Sequence, residues 1–353
     1  MDIKVEFPHL IFWELTKACN LKCAHCRACA TEKPGPDELS TPEVLRIIDD
    51  IAGYCNPLLI LSGGEPLLKP DIYDIIKYSS KKIRTLLATE GTMVTPEAAK
   101  KIKEAGIVKV SISLDGSNAQ IHDNFRGRAG AFDLAIKGIE NIIKAGLPVQ
   151  INSAVTKRNM KDLPGIIKLV EKLGADAFHI FLLVPTGRGK EMIEDELTPE
   201  EYENVLSWLI EEKKKTKINI KATCAPHFNR ILRQGKEMPV MPKLPPGMEN
   251  LNKGCLGGIA VMFIGANADV LPCGYLPAKA GNLRKQKLKD IWENSPVFNE
   301  LRNRKLLTGK CGVCEYVNVC GGCRARGLTN NGNYMSEEPY CSYQPKKLQG
   351  QNK

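Results

Sequence analysis

From position 10 onward the chain alternates two kinds of segment. Short runs rich in apolar and β-branched residues, beginning with Leu10-Ile11-Phe12-Trp13, are each followed by a longer stretch with apolar residues every three to four positions. Continuous apolar runs suit strands covered on both faces, and a single apolar stripe suits a helix packed on a sheet. The alternation therefore predicts a parallel α/β sheet. Strands are predicted over 10–16, 58–61, 83–89, 108–114, 149–155 and 177–184, and helices over 41–54, 71–80, 96–105, 132–145 and 163–173. A further helix over 204–215 and a short strand over 218–222 continue the series. Thr41-Pro42-Glu43, Thr95-Pro96-Glu97 and Thr198-Pro199-Glu200 carry helix-start signals, and Gly106, Gly146 and Gly174 stop helices shortly before strands. Six such units suit a partial (β/α)6, TIM-like barrel, whose chemistry belongs at the carboxyl ends of the strands.

At 353 residues the chain has room for that barrel and a smaller module. The stretch 235–254, with four prolines and three methionines, reads as a linker or lid. The expected layout is a barrel over 1–234, the linker, a cysteine-rich module over 255–345 and a tail over 346–353. Met1 leads into a strand-like segment with no basic-then-apolar leader, so a reducing, cytoplasmic location is expected, with the 13 cysteines serving as metal ligands rather than disulfides. No apolar run approaches the ~18 residues of a membrane span. The net charge of +10 favours acidic partners. Aromatics make up only 6% and do not interleave with basic residues, so nucleic acid is not the expected partner; a polycarboxylate substrate or an acidic electron donor is.

The chemistry-bearing residues begin with Cys19, Cys23 and Cys26, spaced CxxxCxxC after the first strand. Cubane clusters normally take four cysteines, so three from one loop can hold a [4Fe-4S] cube and leave one iron for an exchangeable ligand. A zinc knuckle is the alternative reading. Ser62-Gly63-Gly64-Glu65-Pro66 follows the second strand, where the glycines permit close backbone approach and the glutamate can meet an ammonium. Arg126, Arg128 and Arg188 are candidates for binding carboxylates, or residues of solvated loops. His179, within an apolar strand, reads as a core histidine. Cys224 and His227 are candidates for a metal, for a substrate contact, or for a capped helix start. Cys255, Cys273, Cys311, Cys314, Cys320, Cys323 and Cys341 crowd the C-terminal part, which a zinc ribbon or iron-sulfur clusters would explain. Seven cysteines do not divide into zinc fours. Cys29 and Cys55 remain over, and Cys29 is taken as non-ligating.

The CxxxCxxC loop, with His25 before the last cysteine, resembles the radical S-adenosylmethionine (SAM) family. The resemblance implies that SAM binds the open iron of a [4Fe-4S] cluster and is cleaved to a 5'-deoxyadenosyl radical. It implies that Gly63, Gly64 and Glu65 bind the SAM amino group, while Ser113 and Asn152 hold its carboxylate and ribose. Many relatives have asparagine at the position of Glu90. The C-terminal cysteines resemble the SPASM domain, which implies one auxiliary cluster on Cys311, Cys314, Cys320 and Cys341 and a second using Cys255, Cys273 and Cys323. Two departures, the short Cys320 to Cys323 spacing and the lack of a cysteine between Cys255 and Cys273, leave the second cluster incomplete, absent or open to another ligand. The combination of His25-Cys26-Arg27-Ala28, Ser113-Leu114-Asp115-Gly116, Pro185-Thr186-Gly187-Arg188-Gly189, Thr223-Cys224-Ala225-Pro226-His227 and Cys273-Gly274-Tyr275-Leu276-Pro277 looks like the haem synthases of the sirohaem-dependent pathway. Those enzymes decarboxylate two propionates of Fe-coproporphyrin III to vinyl groups, and use a low-potential donor such as ferredoxin or flavodoxin. Related tetrapyrrole side-chain enzymes, including those of haem d1 synthesis, and peptide maturases are the alternatives within the family.

Overall fold

A computed structural model describes residues 3, 5–235 and 254–349. Its strands are β1 (Leu10–Glu14), β2 (Leu58–Ser62), β3 (Thr85–Thr89), β4 (Val110–Ser113), β5 (Val149–Val155), β6 (Ala177–Leu182), β7 (Asn219–Thr223), β8 (Val261–Ile264), β9 (Asp269–Leu271) and β10 (Gly281–Asn282). The helices that cover the barrel are α1 (Thr41–Tyr54), α2 (Ile72–Ser80), α3 (Pro96–Glu104), α4 (Ala119–Arg126), α5 (Ala131–Lys144), α6 (Leu163–Leu173), α7 (Pro199–Lys215) and α8 (His227–Gln234). Four short helices, α9 (Leu288–Asn294), α10 (Pro296–Arg302), α11 (Gly309–Val313) and α12 (Arg324–Asn331), belong to the C-terminal part.

Local chemistry sets these boundaries. A capping box between Ser40 and Glu43 starts α1, and Val44, Ile47, Ile48 and Ile51 bury its one apolar face. Each such side chain contributes roughly 1.5–3 kcal/mol on burial. A second box, Thr198 with Glu201, starts α7 at Pro199 rather than at the predicted 204. β5 alternates fully: Val149, Ile151, Ser153 and Val155 are buried, while Gln150, Asn152 and Ala154 stay half-buried on the barrel's interior face. The register places Ser113, Asn152, His179 and Lys221 in one row across β4 to β7.

The ten strands form one sheet in the order β10-β9-β8-β1-β2-β3-β4-β5-β6-β7. The six predicted βα units are present, and β7 follows them. β8 does not appear in the sequence pattern, because its Val-Met-Phe-Ile run lies in the glycine- and cysteine-rich stretch. It nevertheless pairs in parallel with β1, Leu10 opposite Val261 and Trp13 opposite Ile264. Its hydrogen bonds carry the barrel sheet into the C-terminal part. β7 and β8 are not neighbours, so the barrel is open between them. Most of the predicted linker, 236–253, lies outside the described residues. Among the described residues no helix is long and apolar enough to cross a membrane.

Candidate functional site

The cysteine loop leaves the carboxyl end of β1, and backbone from several directions holds it. Cys19 N–H donates to the Thr31 carbonyl at 2.7 Å, Ala24 N–H to that of Phe125 at 2.9 Å, and Arg188 N–H to that of Cys26 at 3.0 Å. The Arg188 side chain adds two bonds of 2.9 Å, from Nε to the Cys23 carbonyl and from Nη1 to that of Ala30. Gly187 has φ +57°, and a Cβ there would stand 2.4 Å from the carbonyl oxygens of both Cys26 and Arg27. Only glycine lets this turn lie so close to the loop. The Pro185 to Gly189 motif therefore acts as a clamp on the cysteines.

The turn after β2 presses on the loop from the other side. Gly64 and Glu65 donate their N–H groups to the carbonyls of Thr16 and Ala18, each at 2.7 Å, and a Cβ on Gly64 would come within 2.4 Å of the Ala18 oxygen. Glu65 is fully buried and receives the Thr89 hydroxyl at 2.7 Å and the N–H groups of Glu90 and Leu67 at 2.9 Å each. Burial and the neighbouring Glu90 push its carboxyl up to about 8. Burial raises Glu90 as well, although it receives both the N–H and the hydroxyl of Thr92.

Behind the loop lies a charged chain. Asp115, fully buried beyond β4, receives Ala154 N–H at 2.8 Å and pairs with Arg126 Nη2 at 2.6 Å. Arg126 Nη1 points at Cys23 Sγ, 3.7 Å away. Burial works against Asp115, yet Arg126, His25 and His122 hold its carboxyl below the usual range. Burial lowers His25 and His122 to about 4, so both are neutral near pH 7, and His122 Nδ1 accepts Asp115 N–H at 3.1 Å.

In front of the loop a cavity of about 1140 Å³ opens between β1, β8, the 185–196 segment and the cysteine-rich part. Phe263, Leu271, Tyr275 and Pro277 give it apolar walls, and Lys17, Arg27, Lys190 and Lys279 reach it. Arg27 pairs with Glu14 at 3.2 Å and lies over the Phe263 ring at 4.5 Å, and Lys279 pairs with Asp269 at 2.5 Å. Lys17 and Lys190 have no carboxylate partner among the described residues. Glu196 also lines the cavity; burial pushes it up to about 7, and its Oε1 has no hydrogen-bond partner among the described residues.

The structure distributes the remaining sequence candidates. Ser113 and Asn152 are register partners at the ends of β4 and β5. Arg126 and Arg188 bear on the cysteine loop and Arg128 is exposed after α4, so none of the three is on the cavity wall. Lys17 and Lys190 take that place, and only their position in the fold reveals it. Burial, then Lys221 and Lys109, lower His179 to about 3. His227 is buried against the Tyr202 ring at 5.4 Å and is lowered, first by burial, to about 4. Both are neutral near pH 7; His227 is a core histidine, whereas His179 is half-buried on the barrel's interior face, in the row of Ser113 and Asn152. Cys311, Cys314, Cys320 and Cys341 line one small cavity with Arg230 and Lys310. Cys273 packs on the small apolar cluster that contains Cys323, and Cys255 N–H donates to the Cys320 carbonyl at 3.1 Å.

Residues 13–170 match the Radical SAM superfamily, and residues 255–324 match SPASM, an iron-sulfur cluster-binding domain. The chain is 49% identical over 343 residues to the AdoMet-dependent heme synthase of Methanosarcina barkeri (strain Fusaro / DSM 804), covering 96% of this chain and 98% of that protein. The chain belongs to the radical SAM superfamily. It is 47% identical to the AdoMet-dependent heme synthase of Oleidesulfovibrio alaskensis, over 96% of this chain and 88% of that protein. It is 31% identical to the Fe-coproporphyrin III synthase of Methanosarcina barkeri, over 94% and 87%. The crystal structure of Streptococcus suis SuiB bound to S-adenosylmethionine shares the fold, with a TM-score of 0.75 at 18% identity over 96% of this chain and 78% of that one.

The chain is thus a SAM-dependent radical enzyme with a [4Fe-4S] cluster for SAM and auxiliary iron-sulfur in its SPASM part. Its residues fit those groups. All 13 cysteines are free thiols. The amides of Leu21 and Ala30 point at the sulfurs of Cys19 and Cys26, 3.4 Å each. Burial pushes the Cys19 thiol up to about 12 and that of Cys23 up as well, a cost that binding iron as thiolates would remove. Among the described residues no three His, Cys, Asp or Glu side chains converge on the position of one metal ion. The three cysteines of the loop and the seven of the SPASM part are the kind of ligand such iron-sulfur groups take.

Proposed function

We propose that this enzyme oxidatively decarboxylates two propionate side chains of Fe-coproporphyrin III to vinyl groups, forming haem b. The observation that carries the reading is the cavity. Its volume exceeds the ~300–1,000 Å³ of ordinary small-molecule pockets, its walls suit a flat apolar macrocycle, and Lys17 and Lys190 are free to meet carboxylates at its rim. The names of the relatives at 44–49% identity, all AdoMet-dependent heme synthases, support it.

Each propionate must lose a hydrogen atom from its β carbon, CO2 and one further electron. Bound on Cys19, Cys23 and Cys26, the cluster would supply the electron that cleaves SAM, and the auxiliary clusters would supply an acceptor for the electron left behind. The chain's own residues do the rest. Gly187 and Arg188 hold the cysteine loop at the cavity mouth. Glu65 and Glu90 form a buried carboxylate pair whose repulsion an ammonium, such as the amino group of SAM, would relieve. Ser113 and Asn152 offer polar groups in one row for the rest of SAM. Phe263 and Tyr275 bound the macrocycle and keep water from the reacting carbon. In the cell the enzyme works in the cytoplasm, reduced by a low-potential donor of the ferredoxin or flavodoxin kind.

The test is an anaerobic reaction of reconstituted protein with dithionite, SAM and Fe-coproporphyrin III. Two successive losses of CO2 and two hydrogens, with deoxyadenosine formed in step, are expected by mass. SAM cleavage with the porphyrin unchanged would defeat the reading.

A further inference from the structure

Cys224 is explained neither by the cysteine loop nor by the SPASM match, which begins at residue 255. It follows β7 directly, on the barrel side of the molecule. There it packs, with Cys273, on a small apolar cluster that contains Cys323 together with Val184, Leu276 and Met335. Four thiols share this place. Cys224 feels the charges of Cys323, Cys273 and Cys255; Cys273 feels those of Cys255 and Cys323; and Cys323 feels that of Cys255. Gly257, two residues after Cys255, lies against Pro272, the residue before Cys273, so the chain brings Cys255 to the same side of the SPASM part.

The backbone of Cys224 is fixed in that position. Its φ of +56° is a conformation that a residue with a side chain adopts only under constraint. Its carbonyl oxygen accepts Arg326 Nη2 at 2.5 Å. Arg326 is fully buried on α12, shortly after Cys323, and its Nε donates to Glu338 Oε1 at 3.0 Å. Glu338 Oε2 accepts Cys323 N–H at 2.6 Å. One guanidinium and one carboxylate thus tie Cys224 and Cys323 into a single frame, although one cysteine ends a barrel strand and the other starts a helix of the SPASM part.

The geometry points to Cys224 as the fourth protein ligand of an auxiliary iron-sulfur cluster whose other ligands are Cys255, Cys273 and Cys323. A cubane normally takes four cysteines, and those three alone leave one iron without a protein ligand. The Cys224 thiol gives its proton to solvent on binding and stays as thiolate. Arg326, beside it, offsets the negative charge of a four-thiolate cluster. This assignment rests on the iron-sulfur content of the family and not on the porphyrin reading, and its readouts need no substrate.

The test is Cys224→Ala in the full chain, reconstituted without oxygen beside wild type and beside Cys55→Ala, a buried cysteine outside this group. Iron and sulfide per chain are measured, and low-temperature EPR spectra are recorded after dithionite reduction. The expected result is loss of about four irons and four sulfides of about twelve, or a retained cluster with a shifted signal that yields a three-iron species on mild oxidation. Cys55→Ala should match wild type. Unchanged iron, sulfide and auxiliary signals in Cys224→Ala would overturn the assignment. If the alanine variant does not fold, Cys224→Ser, which keeps the size of the side chain, carries the same test: a shifted auxiliary signal supports the assignment and an unaltered one overturns it.

Discussion

Replacing Gly187 by alanine should loosen the cysteine loop, and a second glycine supplies the control. Gly187 and Gly174 both sit at positive φ, +57° and +77°. An added Cβ at Gly174 meets nothing within 4 Å, whereas at Gly187 it lands 2.4 Å from two carbonyl oxygens of the cysteine loop. Gly174→Ala therefore carries only the left-handed backbone cost, about 1–2 kcal/mol. Gly187→Ala carries the same cost plus an overlap that the loop must absorb by moving, about 1–3 kcal/mol more. Equilibrium urea denaturation of the two cluster-free variants measures the difference. The iron bound after reconstitution measures its effect on the loop: Gly187→Ala should lose the SAM-binding cluster in part and keep its auxiliary iron. If Gly187→Ala is no less stable than Gly174→Ala and fills its loop with iron as wild type does, the clamp assigned to this turn is wrong.

Asp115→Asn leaves Arg126 buried beside Cys23 without its counter-charge. A loss of about 3–5 kcal/mol is expected in thermal or urea unfolding, and a loss below about 1 kcal/mol would remove Asp115 from the support of the loop. Lys17→Ala and Lys190→Ala should each raise KM for the porphyrin several-fold with less effect on kcat, while Arg128→Ala leaves both unchanged; the opposite ranking would move the carboxylate contacts out of the cavity. Glu196 titrates near 7 in the fold and near 4.5 in the open chain. The folded state then binds more protons between those values, so stability falls as pH rises through them. Urea midpoints at about pH 5 and about pH 8 should show this slope in wild type and a shallower one in Glu196→Gln; parallel slopes would show that Glu196 ionises freely.

The parts of this molecule that depend on neighbours in sequence are legible in the chain itself. Cys19, Cys23 and Cys26 are close because the loop is short, and β5 shows its two faces because side chains alternate. What depends on crossing the fold is not legible. Arg126 and Arg188 read as carboxylate anchors because an arginine's partners are chosen by tertiary structure, and here those partners are Asp115, a thiol and two carbonyls. Gly187 stands out in the chain only as one residue of the Pro185–Gly189 motif, and its part in holding the loop shows once the carbonyls of Cys26 and Arg27 are seen against it. Cys224 reads with His227 as a candidate for a metal, a substrate contact or a capped helix start, and only the fold sets it instead beside the cluster of Cys273 and Cys323. Lys17 and Lys190 carry no motif at all, and only the placing of β1 beside the 185–196 segment gives them a common cavity.

The partner of β1 on its outer side is β8, made from residues that follow it by most of the length of the chain. During synthesis the N–H and C=O groups along that side of Leu10–Trp13 have no strand to bond until residues 261–264 leave the ribosome. An unprotected edge of this kind recruits other chains. A product cut after β7 should therefore self-associate, even though it holds every part of the cysteine loop, and co-expression with the missing segment should rescue it better than added iron does. The C-terminal part is in this sense a latch on the growing barrel, and the time for which the nascent edge stays open is set by the pace of translation rather than by the supply of metal.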